Sequence, residues 1–187
     1  MNRTIRTFAN CGTACLLACG PKPSSDLDTS VPGSYAISLK AARLFANRTA
    51  HGTLVLTDTA IPTRSQYFLL GHHFNGCIEL TGDMTLLVPP EAFGVQPSDS
   101  FNALVSWRRD SSSMLRLSLY QGVDYGYSVD FVVSSPELSG SGRYYGITAR
   151  EAPNKSTWHG TRLGPPNTRV CAPALRQDSL WAAKSGH

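Results

Sequence analysis

The side chains of this 187-residue chain that could do chemistry are few and scattered. His72-His73 is the most chemical-looking pair, and His51, Glu79 or Asp83 could join it to ligate a metal or hydrolyse a bond. Adjacent residues on a strand point to opposite faces, so both imidazoles would rarely reach one ion. The plainer reading is a polar strand end. His159 follows Trp158 and reads as an outward imidazole beside an inward indole. The carboxylates Glu79, Asp83, Asp110, Asp124, Asp130, Glu137 and Glu151 form no pair that stands out, because acid–base pairing depends on separation in space. There is no G-x-S-x-G elbow, H-E-x-x-H, P-loop or EF-hand loop. Leu138 to Gly142 (LSGSG) lacks the elbow pattern and reads as a hairpin turn. No catalytic residue, cofactor or metal follows from these groups.

Aromatic residues are more suggestive. Tyr120, Tyr125, Tyr127, Phe131, Tyr144 and Tyr145 fall in two consecutive strand-like regions. Tyr125, Tyr127 and Phe131 share parity, so one face of one strand is aromatic. With Tyr144 and Tyr145 they are candidates to line a cavity for a small apolar or sugar ligand. The alternative is that they are ordinary barrel core or rim.

What must position these side chains is a set of short strands. Only 16% of the residues are charged, against roughly 25% in an average soluble domain. The chain carries sixteen Gly and twelve Pro, the punctuation of many strands joined by turns. Period-two alternation recurs in 34–40, 52–57, 66–70, 77–81, 84–88, 101–107, 115–120, 125–133, 143–150, 156–163 and 168–174. Leu39 to Ala46 is readable as strand or helix. Asp178 to Gly186 offers an N-cap Asp, a short helical run and a closing Gly. The expectation is an all-β domain, an antiparallel up-and-down barrel of about eight to ten strands with a short C-terminal helix. A two-sheet sandwich is the alternative. Gly52-Thr53-Leu54 and Gly160-Thr161-Arg162 form a faint echo of Gly-led strands.

The N-terminus has a different character. Met1 to Thr7 holds two Arg and no acid, Phe8 to Ala18 is moderately apolar, and Leu16-Leu17-Ala18-Cys19 closes the segment. A basic start, an apolar middle and a small-residue end describe an export signal. The stretch is shorter than the roughly 20 apolar residues a helix needs to span a bilayer core of about 30 Å. Leu16-Leu17-Ala18-Cys19 resembles the lipobox of bacterial lipoprotein signal peptides. That resemblance implies cleavage after residue 18, a diacylglycerol on the Cys19 thiol and a membrane as partner. Gly20 in place of Asp implies sorting to the outer membrane, facing the periplasm. Gly20 to Gly33 (GPKPSSDLDTSVPG) reads as a flexible tether, making 1–18 signal, 19–33 anchored spacer and 34–187 a single β domain.

With the leader removed, Cys11 and Cys15 are lost and Cys19 is acylated, leaving Cys77 and Cys171. In an oxidising compartment they read as one disulfide, the alternative being two buried thiols. The formal charge of +4 less the two leader arginines leaves +2, too little to imply a nucleic-acid partner. Size, strand number and the C-terminal helix resemble a lipocalin or wider calycin barrel. Lipocalins open their first strand with Gly-x-Trp, which 34–44 lacks, so no site residue carries over.

The expected function is a non-catalytic binding barrel held near the membrane, for a small apolar ligand or a partner protein. Next come a structural or assembly lipoprotein acting through its outer surface and, last, a hydrolase.

Overall fold

A computed structural model describes residues 31–41, 48–63, 73–84, 87, 99–121, 125–146 and 156–184. Among them run eight strands: β1 (Gly33–Ala41), β2 (Thr49–Leu56), β3 (Gly76–Gly82), β4 (Ser100–Ser111), β5 (Met114–Gln121), β6 (Tyr125–Ser134), β7 (Glu137–Gly146) and β8 (Ser156–Gly164). Each pairs antiparallel with its neighbour in sequence, and β8 closes on β1. The domain is therefore a closed up-and-down barrel, not a sandwich. Closure removes the bare edges on which sheets aggregate. A 3₁₀ turn (Thr168–Cys171) then leads into the helix α1 (Ala172–Lys184).

Alternation explains which face is buried. Tyr35, Ile37 and Leu39 of β1, Leu54 and Leu56 of β2, and Leu115, Leu117 and Leu119 of β5 are buried in one core cluster. The residues between them are mostly Ser, Thr or charged and face outward. This is the reverse of a barrel that crosses a bilayer, whose apolar residues face the lipid. No helix among the described residues is long and apolar enough to span a membrane.

β1 starts at what we call the N-terminal rim, where β2, β4, β6 and β8 end. Val31 is buried there, and the Tyr35 hydroxyl donates to its carbonyl at 2.6 Å. Arg162 Nη2 donates to the Pro32 carbonyl at 2.9 Å. Val31 to Gly33, assigned above to the spacer, thus belong to the barrel. Trp107 sits at the same rim, exchanging backbone–side-chain bonds with Asn75 at 2.8 and 3.0 Å.

A second, smaller core lies outside the barrel. Val55, Cys77 and Leu104 are register neighbours on the outward face of β2, β3 and β4, and Cys171 and Ala174 pack onto them. Cys77 and Cys171 are joined by a disulfide across a sequence separation of 94. Further sequence expectations change. Leu138 to Gly142 is not a turn but part of β7, and the β6–β7 turn is Ser135-Pro136. Thr168 to Ala174 is not a strand, because its Cys171 and Ala174 cover the outer face of β3 and β4 from a helical turn. Asp178 does not cap a helix, since α1 already begins at Ala172. Of the run 84–88, Met84 and Leu87 form a turn closed by a 3.0 Å backbone bond. The run 66–70 lies outside the described residues.

Candidate functional site

The densest chemistry inside the barrel is where β6, β7 and β8 meet. Tyr127, Ser156 and Trp158 all face inward and are buried. The Tyr127 and Ser156 hydroxyls share a hydrogen bond of 2.5 Å. The Trp158 indole N–H donates to Ser156 Oγ at 2.8 Å, with the Tyr127 oxygen at 3.3 Å. Burial pushes the Tyr127 phenol above its ordinary value, partly offset by the bonds to Ser156 and Trp158. A buried hydroxyl without a partner would cost about 1–3 kcal/mol, so the three polar atoms satisfy one another.

Glycines make room for these large groups. Gly140 stands in register between Phe131 and Trp158, and Gly142 between Val129 and Ser156. A Cβ on Gly140 would come within 2.9 Å of the Phe131 ring, and one on Gly142 within 2.5 Å of Trp158 Nε1. Phe131 and Trp158 meet edge to face at 90°, with centroids 6.1 Å apart. Large rings on one strand are thus matched by bare backbone on the next, as small barrels require.

Of the aromatic candidates, Tyr127 and Phe131 are 0% exposed and belong to the core. Tyr144, opposite Tyr127, is partly buried against it. The side chains of Tyr125 and Tyr145 lie outside the described residues, as do Cys19 and His72. Ser156 and Trp158 were not singled out from sequence as partners of Tyr127. Their shared parity on β8 was readable, but the register that brings them to Tyr127 was not.

The residues considered for hydrolysis are spread along β3 rather than gathered. His73 precedes that strand at the N-terminal rim, Glu79 lies outward at its middle, and Asp83 follows its far end, 3.4 Å from Arg48. His51 is on the outer face beside Thr81, with Nε2 3.3 Å from the hydroxyl. Among the described residues no group of three His, Cys, Asp or Glu side chains could hold a metal ion. His159 points outward, as its inward neighbour Trp158 requires, and its Nε2 is 2.9 Å from Glu137.

Two further surfaces stand out. On the outer face of β5 to β7, Asp130 lies between Arg116 at 2.6 Å and Arg143 at 3.2 Å. Its hydrogen bond and charge raise the Arg116 guanidinium above its ordinary value. Beside α1 there is an open, mostly apolar recess of about 440 Å³, lined by Leu175, Arg176, Ser179 and Leu180. Leu180 is 64% exposed.

In comparisons with known proteins, no family model, no curated protein and no solved structure matches the chain.

Proposed function

We propose that this protein is a lipid-anchored envelope module that binds a partner protein through its outer surface, without catalysis. The observation that carries this reading is the fate of the interior aromatics. Tyr127, Phe131 and Trp158 are wholly buried against one another and against Gly140 and Gly142. A barrel waist so filled leaves the outer surface and the rims for contact with other molecules. On α1 the exposed Leu180, with Leu175 lining the same recess, offers a natural apolar anchor. The lipobox at Leu16 to Cys19 and the Pro-rich spacer after it support the anchor. Two or three acyl chains hold firmly where one would not, at about 0.8 kcal/mol per buried CH₂.

Photocrosslinking in the intact envelope tests the surface. A photoreactive side chain at position 180 should give a discrete protein adduct, and one at Ser141 on the polar face should not. Equal labelling at both positions would end the reading. A small apolar ligand at the rim opposite the N-terminal one is a second reading, favoured by the incomplete burial of inward-facing Phe101 and Tyr144. Ligand retained by the purified barrel and released by Phe101→Ser would favour it. For the anchor, the mass of the mature protein should begin at an acylated Cys19, and cleavage elsewhere would refute it.

A further inference from the structure

The outward rows of three strands change character at one end of the barrel. On β5 the outward side chains pass from Arg116 to Met114, on β6 from Asp130 to Val132, and on β8 from Thr161 to Leu163. In each case the apolar residue is the one nearer the N-terminal rim. Met114 and Val132 are a register pair, 38% and 48% exposed, and Leu163 is 65% exposed. Of the large apolar side chains exposed among the described residues, only Leu180 lies elsewhere. Arg108 and Arg109 are exposed next to this pair, in the strand leading into the β4–β5 turn, where Arg109 also donates to the Ser111 and Ser112 carbonyls at 3.2 and 2.7 Å. Asp110 and Glu137 share this end, the first 3.0 Å from Arg108 and the second 2.9 Å from His159. Exposed apolar side chains at one rim, with arginines beside the Met114–Val132 pair, suit a lipid–water interface. The stems and apolar groups enter the headgroup boundary while the guanidinium groups stay wet.

The chain also enters the barrel at this end. Val31 is buried there, and Tyr35 and Arg162 hold the Val31 and Pro32 carbonyls. A lipid on Cys19 would therefore pull on this rim and not on the opposite one. We infer that the N-terminal rim is the membrane-facing end, with Met114, Val132 and Leu163 seated on a phospholipid surface containing anionic headgroups. This orientation rests on the proposed anchor, and it turns the opposite rim away from the bilayer.

The test uses the mature full-length chain on vesicles of phosphatidylethanolamine with phosphatidylglycerol, compared with vesicles of phosphatidylcholine alone. Amide exchange over 112–114 and 132–136 should slow several-fold on the anionic vesicles, while 49–50 and 99–101 at the opposite rim should not change. Leu163→Ser with Met114→Ser should abolish that protection without moving the thermal midpoint, since both residues are exposed. Arg108→Gln, which leaves the Arg109 bonds to the turn in place, should weaken it roughly five-fold. Protection at the opposite rim, or protection unaffected by the serine variants, would overturn the inference. Should the mature chain carry no acyl group, the anchor reading alone fails, and flotation of that chain with the anionic vesicles then decides. Binding lost in Leu163→Ser supports the membrane-facing rim, and absence of binding overturns it.

Discussion

Gly142 lies directly against the hydroxyl of Tyr127, so closely that a Cβ at residue 142 would overlap the phenol oxygen. The same Cβ would press on Trp158 Nε1 and Ser156 Oγ. One missing methyl group therefore allows three buried polar atoms to converge. The arrangement depends on β7 being a strand with its glycines facing inward.

Gly142→Ala is expected to destabilise the barrel by at least about 1–3 kcal/mol, the usual cost of overpacking. Gly140→Ala should act similarly, through the Asp130 carbonyl oxygen and, at 2.9 Å, the Phe131 ring. Urea midpoints of the two variants check this. A midpoint equal to that of the parent at Gly142→Ala would mean that the Tyr127–Ser156–Trp158 cluster is not packed as described.

The stability of the barrel should fall at alkaline pH through Tyr127. Its phenol is raised in the folded state, chiefly by burial, whereas the unfolded phenol ionises near pH ~10. The unfolded chain therefore releases its proton first. The contribution is complete below about pH 10 and is lost as pH climbs from there through the folded value. Tyr127→Phe should reduce the alkaline loss relative to the parent. Superimposable stability–pH curves for the two proteins would refute this assignment.

Replacing Cys77 and Cys171 together by Ser should lower stability by up to roughly 4–5 kcal/mol, the chain-entropy value for so long a loop. The loss should fall unevenly. Exchange of the α1 amides should quicken first, because the disulfide joins the 3₁₀ turn before the helix to β3. Core amides of β6 and β7 should retain their order of protection. Uniform acceleration in helix and strands would show that α1 and the barrel unfold as one unit.

The Asp130 network should matter much less. Arg116 and Arg143 approach it from the solvent side, and ion pairs of this exposure contribute about 0–1 kcal/mol. Asp130→Asn should shift the thermal midpoint only slightly, and the shift should shrink further at high salt. A large, salt-independent loss would show that Asp130 is effectively buried.

Several of these relationships were legible in the residues. The alternation of Tyr35, Ile37 and Leu39, or of Leu115, Leu117 and Leu119, marks strands with one buried face. Cys77 and Cys171 read as a pair, and the structure joins them. The echo between Gly52 and Gly160 also has a physical basis, since both stand in register with Ile37, one on each side of β1. The glycines of β7 misled because Leu138-Ser139-Gly140-Ser141-Gly142 has turn composition. Only packing against Phe131, Tyr127 and Trp158 explains why a strand would tolerate them.

The sequence by itself determined the class of the domain, because a period of two carries the inside and outside of a sheet within each segment. Tertiary structure decided that the sheet closes, that β8 returns to β1, and that the residues 168–174 cover the outside as a helical turn instead of adding a strand. It also decided that Tyr127 meets Ser156 and Trp158. Such contacts depend on register between segments distant in the chain, and alternation within one strand says nothing about which residue will stand opposite.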